Sequence, residues 1–284
     1  MSNESKWGQT ADSDWDDWLV RAVEDATPDT VAIWYLGCNG FILKASDGTT
    51  VMIDPYVGVG RPPRTIRMIP VPFDPADFED VDAIFGTHEH VDHVHGPSQA
   101  PILENTGADY YTSDSGHDVI EDEDWTGTWD VEDDQLHEIE EGDALEIGEF
   151  TVHVEPANDP DAIHPVSLVF EHDAGTFFHG GDARPGEFEQ VGEQYDIDVG
   201  VLAFGAIGNI PDKETGEGVR TQWYNTENMI IQAANDLQLD TLVPSHWDMW
   251  KGMTTEPTVL HNHAASFDYP ETLEIVEIGD RFEL

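Results

Sequence analysis

The densest set of potential metal donors in the chain is Gly86-Thr87-His88-Glu89-His90-Val91-Asp92-His93. Three imidazoles and a carboxylate at His88, His90, Asp92 and His93 fall within six residues. Imidazole and carboxylate together suit zinc, manganese and iron. The run follows VDAIFG (81–86), an apolar segment with the residue types of a buried strand. Side chains alternate along extended backbone, so His88 and His90 are expected to point the same way. Asp92 and His93 are close enough to add donors from the turn that follows, where a helix can begin. A His-rich surface turn is the alternative, and four donor-type residues directly behind a buried strand argue against it. His117, His137, His153 and His172 stand alone in the sequence and are assigned no role.

The elements that must position these donors are mostly strands. VAIWYL (31–36), FILKAS (41–46) and TTVMIDPY (49–56) are β-rich, with a glycine-containing loop between the first two and a tight turn at Asp47-Gly48. A loop rich in proline and arginine (57–76) is long enough to cover a site. Further strands are expected at 108–113, twice within 144–156, and at 166–171, 176–180, 197–205 and 240–245, with terminal strands at 271–276 and 281–284. A helix is expected from Ser13, where Ser13 and Asp16 resemble a capping box, with Trp15, Trp18, Leu19, Ala22 and Val23 on one face. Other helices are expected at 225–237 and near 256–266, whereas the acidic stretch 114–135 has no clear element. Residues 1–12 are polar and expected to be loose, and 13–284 contain no linker that would divide them. The pattern is α+β: two sheets packed together and covered by helices, in one domain.

Sixty Asp and Glu against eleven Lys and Arg give a formal charge of −49. Such self-repulsion destabilises a compact chain in dilute buffer. At molar salt the Debye length falls to about 3 Å, which screens most of it. Acidic residues run along the whole chain and are not gathered in a tail, so the charge reads as adaptation to a salt-rich, halophilic cytoplasm. It also argues against nucleic acid, because phosphate binding needs clustered cations and the one basic cluster is Arg61, Arg64 and Arg67. The single cysteine, Cys38, cannot form an internal disulfide and is expected to be a small buried residue. The N-terminus has neither a basic start nor an apolar run, and no stretch approaches the roughly 20 apolar residues of a membrane span. A cytoplasmic protein without a membrane partner is expected, and a homo-oligomer is compatible with the sequence.

The HxHxDH run behind a strand resembles the signature of the metallo-β-lactamase superfamily. The resemblance implies a four-layer αββα sandwich holding two divalent metal ions, zinc or manganese, with iron also compatible. It places a first site at His88, His90 and His164, and a second at Asp92, His93 and His246. Asp182, in FFHGGD, would lie between them, and Asp54, in VMIDPY, would support the histidine loop. His164 is the least regular match, because the stretch ANDPDAI before it is short and acidic. The superfamily's nucleic-acid branch needs basic surfaces that this chain lacks, and its di-iron redox branch usually carries a carboxylate where His90 stands. The blocks WYLGCNGFILKASDGTTVMIDPY, VDAIFGTHEHVDH and VPSHWDMW are similar to the ascorbate-6-phosphate lactonase branch. That similarity implies hydrolysis of a sugar lactone, an aldonolactone or an ascorbate-6-phosphate-like one, by a hydroxide held between two metals, with Asp92 and Asp182 at the reacting centre. No G-x-S-x-G elbow is present.

For substrate binding the candidates are Arg61, Arg64, Arg67 and Arg220, as cations kept in an acidic chain, and Asn209 by position. Their alternative is pairing with surface carboxylates. Trp223, Tyr224, Trp247 and Trp250 can stack on a sugar ring or pack the rim. Two other readings stay open: a different hydrolase of this fold, such as a phosphodiesterase or thioesterase, and a non-catalytic halophilic module stabilised by its metals.

Overall fold

A strand that is apolar at every position needs partners on both faces, and the first strands show where those partners come from. In the computed structural model, which describes residues 10–284, the first half supplies β1 (Ala32–Gly37), β2 (Gly40–Lys44), β3 (Thr50–Ile53), β4 (Ala83–Gly86), β5 (Asp109–Thr112) and β6 (Leu136–Glu138). The second half supplies β7 (Ala144–Ile147), β8 (Phe150–Pro156), β9 (Val166–His172), β10 (Gly175–His179) and β11 (Val199–Ala203), then a small hairpin, β12 (Gly208–Pro211) and β13 (Gly218–Thr221), then β14 (Thr241–Ser245) and β15 (Thr272–Leu273). The last strand, β16 (Arg281–Glu283), returns to the first sheet beside β1. Two seven-stranded sheets result, in the orders β16-β1-β2-β3-β4-β5-β6 and β15-β14-β11-β10-β9-β8-β7.

Alternation along β1 divides its side chains between two apolar layers. Ile33 and Tyr35 join Phe41, Val51 and Phe85 against Phe150, Leu168, Phe170 and Phe177 of the other sheet. Trp34 and Leu36 face the opposite way, toward α1 (Trp18–Glu24), α2 (Gly96–Thr106), α3 (Asp114–Glu123) and α4 (Trp125–Thr128). Across the sandwich, Val169, Phe178, Leu202 and Leu242 pack against α5 (Phe188–Gln194), α6 (Glu227–Asp236) and α7 (Leu260–Ala264). The four-layer αββα arrangement follows. The acidic stretch 114–135 forms α3 and α4, whose Ile120 and Trp125 reach the core; the other acids of α3 face outward, but Glu123 is buried and accepts from Gly96 N and Trp125 Nε1.

The N-terminal helix starts later than its capping pattern suggests. Ser13 Oγ accepts from Trp15 N and donates to the Asp16 carbonyl, which closes a turn, and Asp16 has a left-handed φ of 50° that no helix continues through. The buried face is Leu19, Val20 and Val23, while Trp18 stays 53% exposed against Trp15. Of the segment expected to be loose, residues 1–9 lie outside the described residues. Thr10 bridges Gly58, and Asp14 Oδ2 accepts from Val71 N, so the chain is already tied down there. No helix among the described residues is long and apolar enough to cross a membrane.

Strands β3, β4 and β5 run parallel, as do β10, β11 and β14. The carboxyl ends of β3, β4, β10 and β14 lead directly into Asp54, His88, Asp182 and His246. Ligand sites of parallel sheets form at such ends, because the loops there converge while the strands hold them rigid.

Candidate metal centre

Asp54 is the anchor of the centre. It is fully buried and accepts three hydrogen bonds: from Thr87 N (2.8 Å), Thr87 Oγ1 (2.8 Å) and His93 Nδ1 (2.7 Å). The loop carrying all four motif residues is thus pinned to the end of β3, and the His93 ring is turned with Nε2 inward. Gln99, on α2, fixes the far side of the loop by donating to the His93 carbonyl (2.8 Å) while accepting from His95 N (3.0 Å). Non-glycine residues in left-handed backbone collect here: Cys38, Asp54 and His246 have φ of 58°, 46° and 62°. Strain of this kind persists only where surrounding contacts over-determine it, and it gathers at functional sites.

Two groups of donors meet at Asp182. His88, His90, Asp159 and Asp182 have donor atoms within 4.8 Å of one another, and so do His93, Asp182 and His246. A third overlapping group joins Asp92 and His246 to Cys38. His88 and His90 meet, with His88 Nε2 2.9 Å from His90 Nδ1, although the backbone at 88–90 is bent and not the extended strand that alternation assumed. Asp92 Oδ2 lies 3.1 Å from His246 Nε2 and accepts from Trp250 Nε1 at 3.1 Å. Tyr224 stacks on the His246 ring at 4.1 Å.

The chemistry of this donor set fits divalent cations. His93 Nε2 is buried, lies 3.4 Å from Asp182 Oδ2 and 4.0 Å from Asp92 Oδ2, and is aligned for a hydrogen bond with neither. A buried nitrogen without a partner is costly unless something else completes it. Burial pushes the His88 imidazole well below its usual range, reinforced by His93 and His90, which leaves it in the neutral form that ligates metals. Burial works against ionising Asp92 and Asp182, but His93 and His246 outweigh it and hold both carboxyls below the usual range. Burial and the adjacent Asp182 push Asp159 up to about 6. The site therefore crowds carboxylates whose mutual repulsion a bound cation would relieve.

The structure corrects the placement of His164. Asp159 occupies the position expected of it, 6% exposed and with Oδ2 3.8 Å from His88 Nε2. The chain leaves β8 directly above the site, and Asp159 turns inward with Oδ1 accepting from Asp161 N (3.0 Å). Five residues later the chain has passed back over the rim. There the His164 side chain is 61% exposed and paired with Asp114. The signal for Asp159 was the Asn-Asp-Pro just after β8, a carboxylate available where the pattern lacked a nearer histidine.

Above the donors opens a cavity of about 370 Å³. His90, Asp92, Asp159 and Asp182 form its floor, and Trp223, Tyr224 and Trp250 its aromatic wall. Arg61, Arg64 and Lys213 stand around it together with Glu89, Glu123 and Asp161, and the expected arginines divide accordingly. Arg64 lies over the Trp223 ring and donates to the Pro211 carbonyl. Arg67 is spent on structure, donating to the carbonyls of Tyr56, Gly58, Ile69 and Pro70, which closes the 57–76 loop. Asn209 and Arg220 pair across the β12–β13 hairpin, are exposed, and do not line the cavity. Lys213 was missed because a single lysine between β12 and β13 has no pattern of its own.

A family model described as the beta-lactamase superfamily domain matches residues 49–247, a stretch that runs from β3 through the last histidine of the centre. The chain belongs to this superfamily. Its relatives include a protein named a probable L-ascorbate-6-phosphate lactonase from Salmonella gallinarum, 24% identical over 297 residues covering 88% of this chain and 79% of that one. Among solved structures it is similar to Igni18, described as a novel metallo hydrolase of Ignicoccus hospitalis, with a TM-score of 0.64 at 19% identity over 89% of this chain and 99% of that one. A diiron beta-hydroxylase from Streptomyces venezuelae is equally similar, with a TM-score of 0.65 at 16% identity, covering 91% of this chain and 55% of that one. Likeness at these identities shows the shared fold, and the chemistry must be argued from the site.

Proposed function

We propose that this chain is a metal-dependent hydrolase that opens a sugar lactone bearing an anionic group. The observation that carries the reading is the position of Asp182: it is shared by two donor groups and lies on the floor of a cavity whose lining includes Arg61, Arg64 and Lys213. The lactonase relative supports a lactone as the substrate class, and the cations at the cavity support an anionic group on it. Arg61, Arg64 and Lys213 are three of only eleven basic residues in the chain. Glu89, Glu123 and Asp161 line the same cavity, so these cations offer an anionic group a local partner and do not make the whole mouth positive.

His88, His90, Asp159 and Asp182 would hold one cation, and Asp92, His93 and His246, with Asp182 shared, the other. Two such ions supply a polarised carbonyl and a water whose pKa is lowered toward about 7. The chain's own residues do the rest. Asp92 and Asp182, both ionised and both facing the cavity, orient the attacking water beneath the ring. Trp250, Tyr224 and Trp223 bound the space where a sugar ring fits and exclude bulk water from it. A structural metal site is closed by protein ligands, whereas here four donor residues face the cavity, which supports catalysis over a purely structural role.

The test is lactone opening followed by pH-stat on protein kept in molar KCl. Chelation is expected to lower kcat by at least about a hundredfold, with recovery on adding back zinc or manganese. Arg61→Ala combined with Lys213→Ala should raise KM for a phosphorylated aldonolactone by about three- to tenfold and leave kcat nearly unchanged. Equal KM shifts for neutral and phosphorylated lactones would remove the anionic group from the proposal. Cleavage of phosphodiesters or thioesters by metal-loaded protein that opens no lactone would replace the substrate class altogether.

A further inference from the structure

Cys38 sits in the turn between β1 and β2, and the mechanism above leaves it unused. It is fully buried, and its backbone is held in the left-handed region by two contacts: Tyr35 OH donates to its carbonyl (3.0 Å), and His246 N donates to the same carbonyl (2.8 Å). These bonds aim the side chain into the centre. Sγ lies 3.4 Å from His246 Nε2 and 3.8 Å from Asp92 Oδ2, while those two atoms are 3.1 Å apart. In a tetrahedral zinc site, metal–donor distances of about 2.0–2.3 Å place the donor atoms about 3.3–3.6 Å from one another. The three atoms already stand near that spacing. A second observation points to a ligand at the same spot: the buried His93 Nε2, without a hydrogen-bond partner, faces Asp92 Oδ2 from 4.0 Å.

We propose that Cys38 Sγ, as the thiolate, is a direct ligand of the metal held by Asp92 and His246. The inference rests on the two-metal reading of the centre. On binding, the S–H bond breaks, the sulfur–metal bond forms, and the proton leaves to buffer. Its consequence is an unequal pair of sites. The site of His88, His90 and Asp159 offers nitrogen and oxygen alone, while the Cys38 site adds a soft sulfur that favours zinc, cobalt or iron over manganese. Because this is the only cysteine in the chain, every thiolate signal from the protein reports on it.

The experiment is reconstitution of the full-length chelated protein with cobalt(II), read by absorption. The wild type is expected to show d–d bands in the visible together with a thiolate-to-cobalt charge-transfer band in the near ultraviolet. Cys38→Ser should lose the charge-transfer band, keep d–d bands, and release one proton fewer on loading. The same substitution should weaken zinc at this site by at least about tenfold while changing manganese little. The wild-type spectrum decides even if the variant folds poorly. Cobalt d–d bands without a charge-transfer band overturn the cysteine ligand and leave the metal centre standing. No d–d bands in the wild type overturn both. A charge-transfer band that survives in Cys38→Ser also overturns the assignment.

Discussion

Asp159→Ala should cost this protein one of the two metal ions proposed for it and lower kcat/KM by at least about a hundredfold, while His164→Ala should leave both within about twofold. The two residues are five positions apart in one loop, and motif reading favoured the second. The geometry reverses the order. Asp159 is buried on the cavity floor beside His88 and Asp182, and its carboxylate completes a group of four donors. His164 is 61% exposed and pairs with an exposed Asp114, an interaction of the kind that contributes between zero and about 1 kcal/mol. Metal per chain, measured by atomic emission after dialysis against a weak chelator, and kcat/KM on the same preparations decide the matter. Intact metal content in Asp159→Ala, or loss of an ion in His164→Ala, would restore the histidine as the ligand.

Asp54→Ala should destabilise the chelated protein by about 3–5 kcal/mol and, in the loaded protein, weaken metal binding by about 10- to 100-fold. Asp54 touches no cavity, so its effect is entirely through others. Its removal takes the acceptor from Thr87 N and leaves Thr87 Oγ1 and His93 Nδ1 only their longer contacts, with His88 Nδ1 at 3.0 Å and with each other at 3.3 Å, in a region closed to water. Each buried donor left unsatisfied costs on the order of 1–3 kcal/mol. The His93 ring, freed of its anchor, no longer presents Nε2 to the centre. Urea unfolding at fixed KCl gives the first quantity and competition with a zinc indicator the second. A variant as stable as the wild type, with unchanged metal affinity, would show that backbone packing alone orients the loop.

The layered fold was legible before the tertiary structure because local pattern and burial agree there. Segments such as VAIWYL and VSLVFE are apolar at nearly every position, which in a strand means both faces are covered, and sheets with helices on either side supply that cover. The start of α1 was less legible. Ser13 and Asp16 form a capping pattern, but the Ser13 hydroxyl closes a turn against the Asp16 carbonyl, a contact a helical reading does not anticipate.

The same division runs through the site. The chain by itself brought His88, His90, Asp92 and His93 into one short loop behind a buried strand, where a few residues of spacing keep their side chains near one another. It also determined the charge of −49 and with it the scarcity of cations that makes those around the cavity informative. Only the tertiary structure decided which distant residues stand beside the motif residues. That Asp159 and not His164 lies beside His88, that Cys38 from a turn far upstream lies beside His246, and that Lys213 and not Arg67, Asn209 or Arg220 lines the cavity all depend on where loops from different strands meet in space. Local periodicity fixes where a side chain points relative to its own backbone, and it carries no information about which other backbone stands opposite.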